Sequence, residues 1–305
     1  MATILDGPER SSPPPASPAS AGAAAAPTEA VLAQTSDFDQ LEIDEFLAAI
    51  HAEDRRAVEA VGAVLPDVAR AVRALVAVLE KGGRWFNVGA GTSGRMGCLD
   101  AAEIPPTFGF PAERIEGLIA GGPAALARSR EGAEDDADGA RAALRARRLG
   151  PADAVVALSA SGRTPYALAA LEVAREVGAC RIAITCDPDS PLAAAAEIAI
   201  APRVGPEVIA GSTRMKGGSA EKMVLHQLST AVMVRLGRVE GNRMTHLRPA
   251  SHKLWTRALR LVMELGGVDE AHARALLERS RGSVADAIGE ARKRRQRSSS
   301  PKGPS

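Results

Sequence analysis

Five short apolar runs punctuate the middle of the chain: RWFNV from residue 84, IEGLIA from 115, AVVALS from 154, CRIAITC from 180 and EIAIAP from 197. Each suits a buried strand, and the stretches between them carry apolar residues at helical spacing. Strands alternating with helices predict a parallel sheet covered on both faces, with ligand-binding loops beyond the strands' carboxyl ends. Upstream, Ile43, Phe46, Leu47 and Ile50, then Val68, Val72, Leu75, Val76 and Leu79, mark two helices separated near Pro66 and ended by Gly82 and Gly83. A long helix is expected from about Arg214 to Leu236. Its second half, LSTAVMVRL, is apolar almost all round and must be buried on several sides, in the core or against another subunit, so a homodimer is expected.

The flanks read differently. Residues 1–36 are mostly Pro, Ala and Ser, bury too little to offset ordering entropy, and are expected to be disordered. The main domain then spans 37–250, a small helical region follows over 251–292, and 293–305 form a basic, Ser-rich tail expected to be solvated and disordered. Lys and Arg total 38 against 37 Asp and Glu, so an anionic partner must be held by a local site rather than by net charge. Aromatics are 3%, too few for a base-stacking platform, and no nucleic-acid partner is expected. Cys98, Cys180 and Cys186 lie in apolar surroundings without metal-ligand spacing and read as thiols of a reducing compartment. No signal peptide is apparent and no apolar run approaches the roughly 20 residues that span a bilayer, so the expected location is cytoplasmic, away from membranes.

Three stretches combine glycines with hydroxyls at helix starts: GAGTSGR (89–95), SASGRTP (159–165) and GSTRMKGGS (211–219). Glycine lets backbone amides approach a ligand and Ser or Thr adds donors, so such loops can cradle a phosphate. The candidate ligands are Thr92, Ser93 and Gly94; Ser159, Ser161, Gly162, Arg163 and Thr164; and Ser212, Thr213 and Lys216, with Arg95 and Arg214 nearby. GAGTSG has dinucleotide-fingerprint spacing but lacks a clear acidic ribose ligand after the next strand, and no Walker A Gly-Lys-Ser/Thr occurs. A sugar phosphate is therefore favoured over a nucleotide. Glu103 is singular: Pro105 and Pro106 are expected to end its helix, leaving a carboxylate at the negative end of the dipole.

Together GAGTSGRMGCLDAAEIPPTFG, GLIAGG, EGAEDD, SASGRTPY and GSTRMKGGSAEKMVLHQLSTAVMVRLG resemble the N-acetylmuramic acid 6-phosphate etherase family, built on the sugar isomerase (SIS) fold. The resemblance covers roughly 40–290 and implies a three-layer sheet flanked by helices, a homodimer, and a lyase that needs no metal or other cofactor. It departs after Asn242, where MTHLRPASHKL keeps Met244, Lys253 and Leu254 but sets Thr245, His246 and Ser251 at altered positions.

The implied substrate carries a D-lactyl ether at C3 of a glucosamine-type 6-phosphate. Ring opening lets the C1 aldehyde acidify the C2 proton; removing it while the ether oxygen is protonated expels lactate, and water then adds at C3. Two carboxyls with separated pKa values suit this scheme. By resemblance Glu103 is the acid, its pKa raised by burial beside an anionic substrate, and Glu134 the second catalytic glutamate, taken as base. Lys222 and His226, one turn apart on the long helix, could face the site, and no metal site is expected. A sugar-phosphate isomerase, and a non-catalytic sugar-phosphate sensor regulating a sugar kinase, are the alternative functions.

Overall fold

The structure, a computed structural model, describes residues 26–299 apart from 248, 250 and 251. The disorder expected over residues 1–25, the altered Ser251 and the last tail residues, 300–305, lie outside the described residues. From residue 26 the chain is not loose: short 3-10 turns bury Thr28, Leu32 and Thr35 before the first helix.

Helix α1 (Ile43–Ala63) opens on a capping box between Glu42 and Glu45, and α2 (Leu65–Glu80) follows after one residue. Pro66 sits in the first turn of α2, where its missing N–H removes no helical bond. There follow β1 (Trp85–Gly89), α3 (Gly91–Phe108), β2 (Ile115–Ile119), α4 (Ala137–Ala146), β3 (Ala154–Leu158), α5 (Pro165–Val177), β4 (Cys180–Ile184), α6 (Pro191–Ala195), β5 (Ile198–Ile200) and α7 (Lys216–Arg235). The five strands are parallel in the order β2-β1-β3-β4-β5, with Trp85 opposite Ala154 in the central pair.

Successive strand residues feed opposite cores, as the pleat requires. Trp85, Val156, Leu158 and Ile182 pack under α1, α2, α3 and α7, whereas Phe86, Val155, Ala157 and Ala183 pack against α4 and α5. These strands are covered on both faces, which is why they appear in the sequence as continuous apolar runs.

Helices α8 (His252–Gly266), α9 (Glu270–Arg279) and α10 (Val284–Ser299) enclose a core of their own around Val262, Leu277 and Ile288. Helix α10 continues past residue 292, so the start of the expected basic tail is helical. A second expectation is corrected at Glu103. Helix α3 does not stop there but runs through Pro105 and Pro106 to Phe108, closed by Gly109 in the left-handed conformation. The prolines deny a partner to the carbonyls one turn earlier, yet their fixed φ suits a helix, and buried Ile104 and Phe108 hold the last turn to the core.

Candidate active site

The strand order reverses between β1 and β3: the chain leaves β1 toward β2 on one side and returns to β3 on the other. Loops that leave such a pair diverge and open a crevice at the carboxyl edge, the ligand position of open parallel sheets. GAGTSGR and SASGRTP occupy that point. Helix α3 starts there with Ala90 at its N-cap and no side-chain cap, and its first intrahelical bond is Gly94 N–H to Ala90 O at 2.9 Å. Asn87 ties this helix to the strand by donating to Gly97 O while accepting from the Trp85 indole.

Across the crevice the hydroxyls form a knot. Ser159 Oγ accepts from Gly162 N–H at 3.0 Å and lies 2.9 Å from Thr164 Oγ1 and 3.3 Å from Ser161 Oγ. Arg163 N–H donates to Ser161 Oγ, and its guanidinium donates to Asp187 at 2.6 Å and to Ser161 O at 2.8 Å. Gly162 has φ +67° and a Cβ there would fall 2.1 Å from Ser190 Oγ, so only glycine fits. Ser159 is buried, while Ser161, Arg163 and Thr164 are half-buried.

The third loop abuts both others. A Cβ on Gly218 would lie 3.1 Å from Thr92 Cγ2, and one on Gly217 would lie 3.5 Å from Ala160 Cβ. Ser212 and Thr213 are half-buried beside them, and Thr213 O accepts from Gly218 N–H at 2.8 Å. The start of α7 is not open, however. Glu207 fills it, accepting from the Lys216 and Gly217 amides. Lys216 is itself buried and ion-paired with Glu53 on α1, so its ammonium is committed to the core rather than offered to a ligand. Arg214 is exposed, and Arg95 donates to Leu126 O. The N-terminal turns brace this loop: Gly211 N–H donates to Thr28 O and Thr35 Oγ1 to Val208 O.

Glu103 lies exposed on α3, ten residues beyond Ser93, which the helical rise makes about 15 Å. The burial expected of it is therefore not supplied by its own chain. Glu134 is exposed in a 3-10 turn after β2, and Asp136 rather than Glu134 caps α4 through Gly139 N–H. His226 is exposed and donates from Nδ1 to Lys222 O. The described residues contain no group of three or more His, Cys, Asp and Glu arranged to hold a metal ion.

Two buried acids escaped the sequence reading. Glu221 on α7 is 1% exposed and its Oε1 is 2.9 Å from Ser93 Oγ; burial pushes its carboxyl up to about 8. Asp100 on α3 accepts from Ser229 on α7 at 2.9 Å, and burial, opposed by that hydrogen bond and by Lys222 but aided by the charge of Glu103, leaves it raised to about 6. In each acid the second oxygen has no hydrogen-bond partner among the described residues. Glu221 lies inside GSTRMKGGSAEKMVLHQLSTAVMVRLG, but its contact with Ser93 depends on a partner 128 positions away.

Comparison with known proteins follows the same lines. The family described as the glucokinase regulatory protein N-terminal SIS domain matches residues 67–175, and the SIS domain matches 139–231. A phosphoheptose isomerase from Francisella tularensis has a similar structure at 20% identity, TM-score 0.46, over 63% of this chain and 98% of that one. An N-acetylmuramic acid 6-phosphate etherase of Symbiobacterium thermophilum is 51% identical over 86% of this chain and 87% of its own length. The etherase of Pectobacterium atrosepticum is 50% identical over 83% and 84%. The sheet and its flanking helices are thus of the SIS type, and the chain belongs to the N-acetylmuramic acid 6-phosphate etherase family.

Proposed function

We propose that ether cleavage proceeds by elimination and rehydration on a site completed by two copies of the chain. As a family member the protein is a carbon–oxygen lyase of amino-sugar metabolism, releasing D-lactate from N-acetylmuramic acid 6-phosphate and leaving N-acetylglucosamine 6-phosphate. The observation that supports the mechanism is the pair of hydroxyl-rich loops at the β1/β3 reversal, which lead into the starts of α3 and α5, neither with a side-chain cap. Thr92, Ser93, Ser159, Ser161 and Thr164 line the crevice, with Ser212 and Thr213 at its rim; amides and hydroxyls there receive the 6-phosphate. Glu134 then takes the C2 proton of the open-chain aldehyde, and Glu103 protonates the departing ether oxygen.

The second copy is needed for Glu103. A single rigid helix holds it about 15 Å from Ser93, and it faces away from its own core. An apolar groove of about 890 Å³ between α2 and α7, where Leu65 is 49% and Val234 is 45% exposed, supports a homodimer contact. No helix among the described residues is long and apolar enough to cross a membrane, and three free thiols support a cytoplasmic location.

Solvent labelling tests the chemistry. Turnover in heavy-oxygen water should label the C3 hydroxyl of the sugar, turnover in deuterated water should place deuterium at C2, and lactate should keep its ether oxygen. Label in lactate would mean displacement at the lactyl carbon and would overturn the elimination route. An aldose–ketose product without lactate would support an isomerase instead.

A further inference from the structure

The geometry points to Glu221 as a positioning residue: buried on α7 and 2.9 Å from Ser93 Oγ, it sets the Ser93 hydroxyl proton toward the substrate phosphate. This rests on the reading that the β1/β3 crevice holds that phosphate. A serine hydroxyl has one proton and two acceptor lone pairs, whereas an ionised carboxylate only accepts. At the 2.9 Å Ser93–Glu221 contact, a charged Glu221 would take the serine proton and set a negative charge beneath the anion. A neutral Glu221 brings its own proton, leaving that of Ser93 for the ligand.

The surroundings favour the neutral form. Glu221 Oε2 has no hydrogen-bond partner among the described residues, so a charge there would be buried with one donor only. The neighbouring helices present Asp100 on α3, Glu53 on α1 and Arg73 on α2, and the adjoining loops present Cys186 and Glu207. On α7 itself stand Lys216 and Lys222; Lys216 is taken by Glu53, and the charge of Lys222 acts on Asp100. None of these supplies a cation to Glu221, and burial alone drives its carboxyl up to about 8.

The test is calorimetric titration of the full chain with N-acetylglucosamine 6-phosphate between pH 7 and pH 9, where the phosphate is already about nine-tenths or more dianionic. Wild-type affinity should fall about tenfold over that range as Glu221 loses its proton. Glu221→Gln, whose amide donates at any pH, should bind within about threefold of wild type at pH 7 and stay flat to pH 9. Ser93→Ala should bind more weakly at pH 7 and also be flat, which keeps the inference testable if the glutamine variant folds poorly. A wild-type affinity that does not change with pH, or a decline in either variant parallel to wild type, overturns the role of Glu221. Ser161→Ala separates the two levels: unchanged affinity in that variant overturns the crevice itself as the phosphate site, while weakened binding there with a parallel Glu221→Gln decline overturns the relay alone.

Discussion

Glu207 holds the first turn of α7 shut: its Oε1 accepts from Gly217 N–H at 2.9 Å while its other oxygen takes the neighbouring Lys216 amide. A carboxylate from the protein thus occupies the helix end where the sequence suggested a ligand anion, whereas the α3 and α5 starts carry no side-chain cap. Glu207→Ala should cost about 1–3 kcal/mol by orphaning buried amides, with Glu207→Gln recovering part of it. Urea unfolding of the three proteins measures this; an alanine variant as stable as wild type would mean the amides find other partners.

Glu103→Gln and Glu134→Gln should each keep the fold and the affinity for N-acetylglucosamine 6-phosphate while slowing lactate release by roughly 10²- to 10⁴-fold, the range of a lost acid–base group. A lactate assay beside binding titration decides it. Mixing the two inactive variants should restore part of the activity if each site draws its carboxyls from different copies; no recovery on mixing would place both in one chain.

Gly162→Ala should disrupt the second loop specifically. The new methyl would meet Ser190 Oγ and Thr185 Oγ1, and the positive φ disfavours any side chain. A loss of about 1–3 kcal/mol in stability with a larger loss of sugar-phosphate affinity is expected. Normal affinity would show that this knot of hydroxyls does not touch the ligand.

Stability should fall as pH rises through the near-neutral range. Desolvation raises Asp100 to about 6 and Glu221 to about 8, so the folded chain keeps protons that the unfolded chain releases. Their stabilising contribution is fully present below the ordinary carboxyl range near pH 4 and is lost as pH climbs, past about 6 for Asp100 and about 8 for Glu221, at a slope of at most about 1.4 kcal/mol per pH unit for each group. Replacing both, Asp100→Asn with Glu221→Gln, should flatten this decline in denaturant midpoints measured from pH 5 to pH 9. An equal slope in the double variant would assign the dependence to other groups.

What the sequence disclosed follows from what is local. Strands buried on both faces must be apolar throughout, so RWFNV or AVVALS announces itself; glycine and hydroxyl clusters sit at helix starts whatever the partner. The departures come from tertiary contacts. Lys216 looked like a phosphate ligand until Glu53, 163 positions earlier, claimed it. Helix α3 passed its two prolines because Ile104 and Phe108 had a core to fill, which overrode a local breaking signal. Glu221 and Asp100 were ordinary acids in helical patterns, made singular only when folding set Ser93 and Ser229 against them. The Pro- and Ala-rich start read as loose, yet Thr28 and Thr35 found carbonyl and amide partners on the 208–211 loop.

The central strand pair also determines when the crevice can exist. Trp85 pairs with Ala154, and the hydroxyl loops follow these two strands, so neither loop has its counterpart until β3 has docked on β1 across all of α3, β2 and α4. With the phosphate held as proposed, bound sugar phosphate would act as a clasp over the middle of the sheet. Its binding energy is added to the cost of separating the central strands, not merely of loosening a surface loop, and grows with ligand concentration by mass action. Amide exchange in Phe86–Val88 and Val155–Ala157 should accordingly slow in step with occupancy, making the sheet's innermost hydrogen bonds a gauge of ligand at its edge.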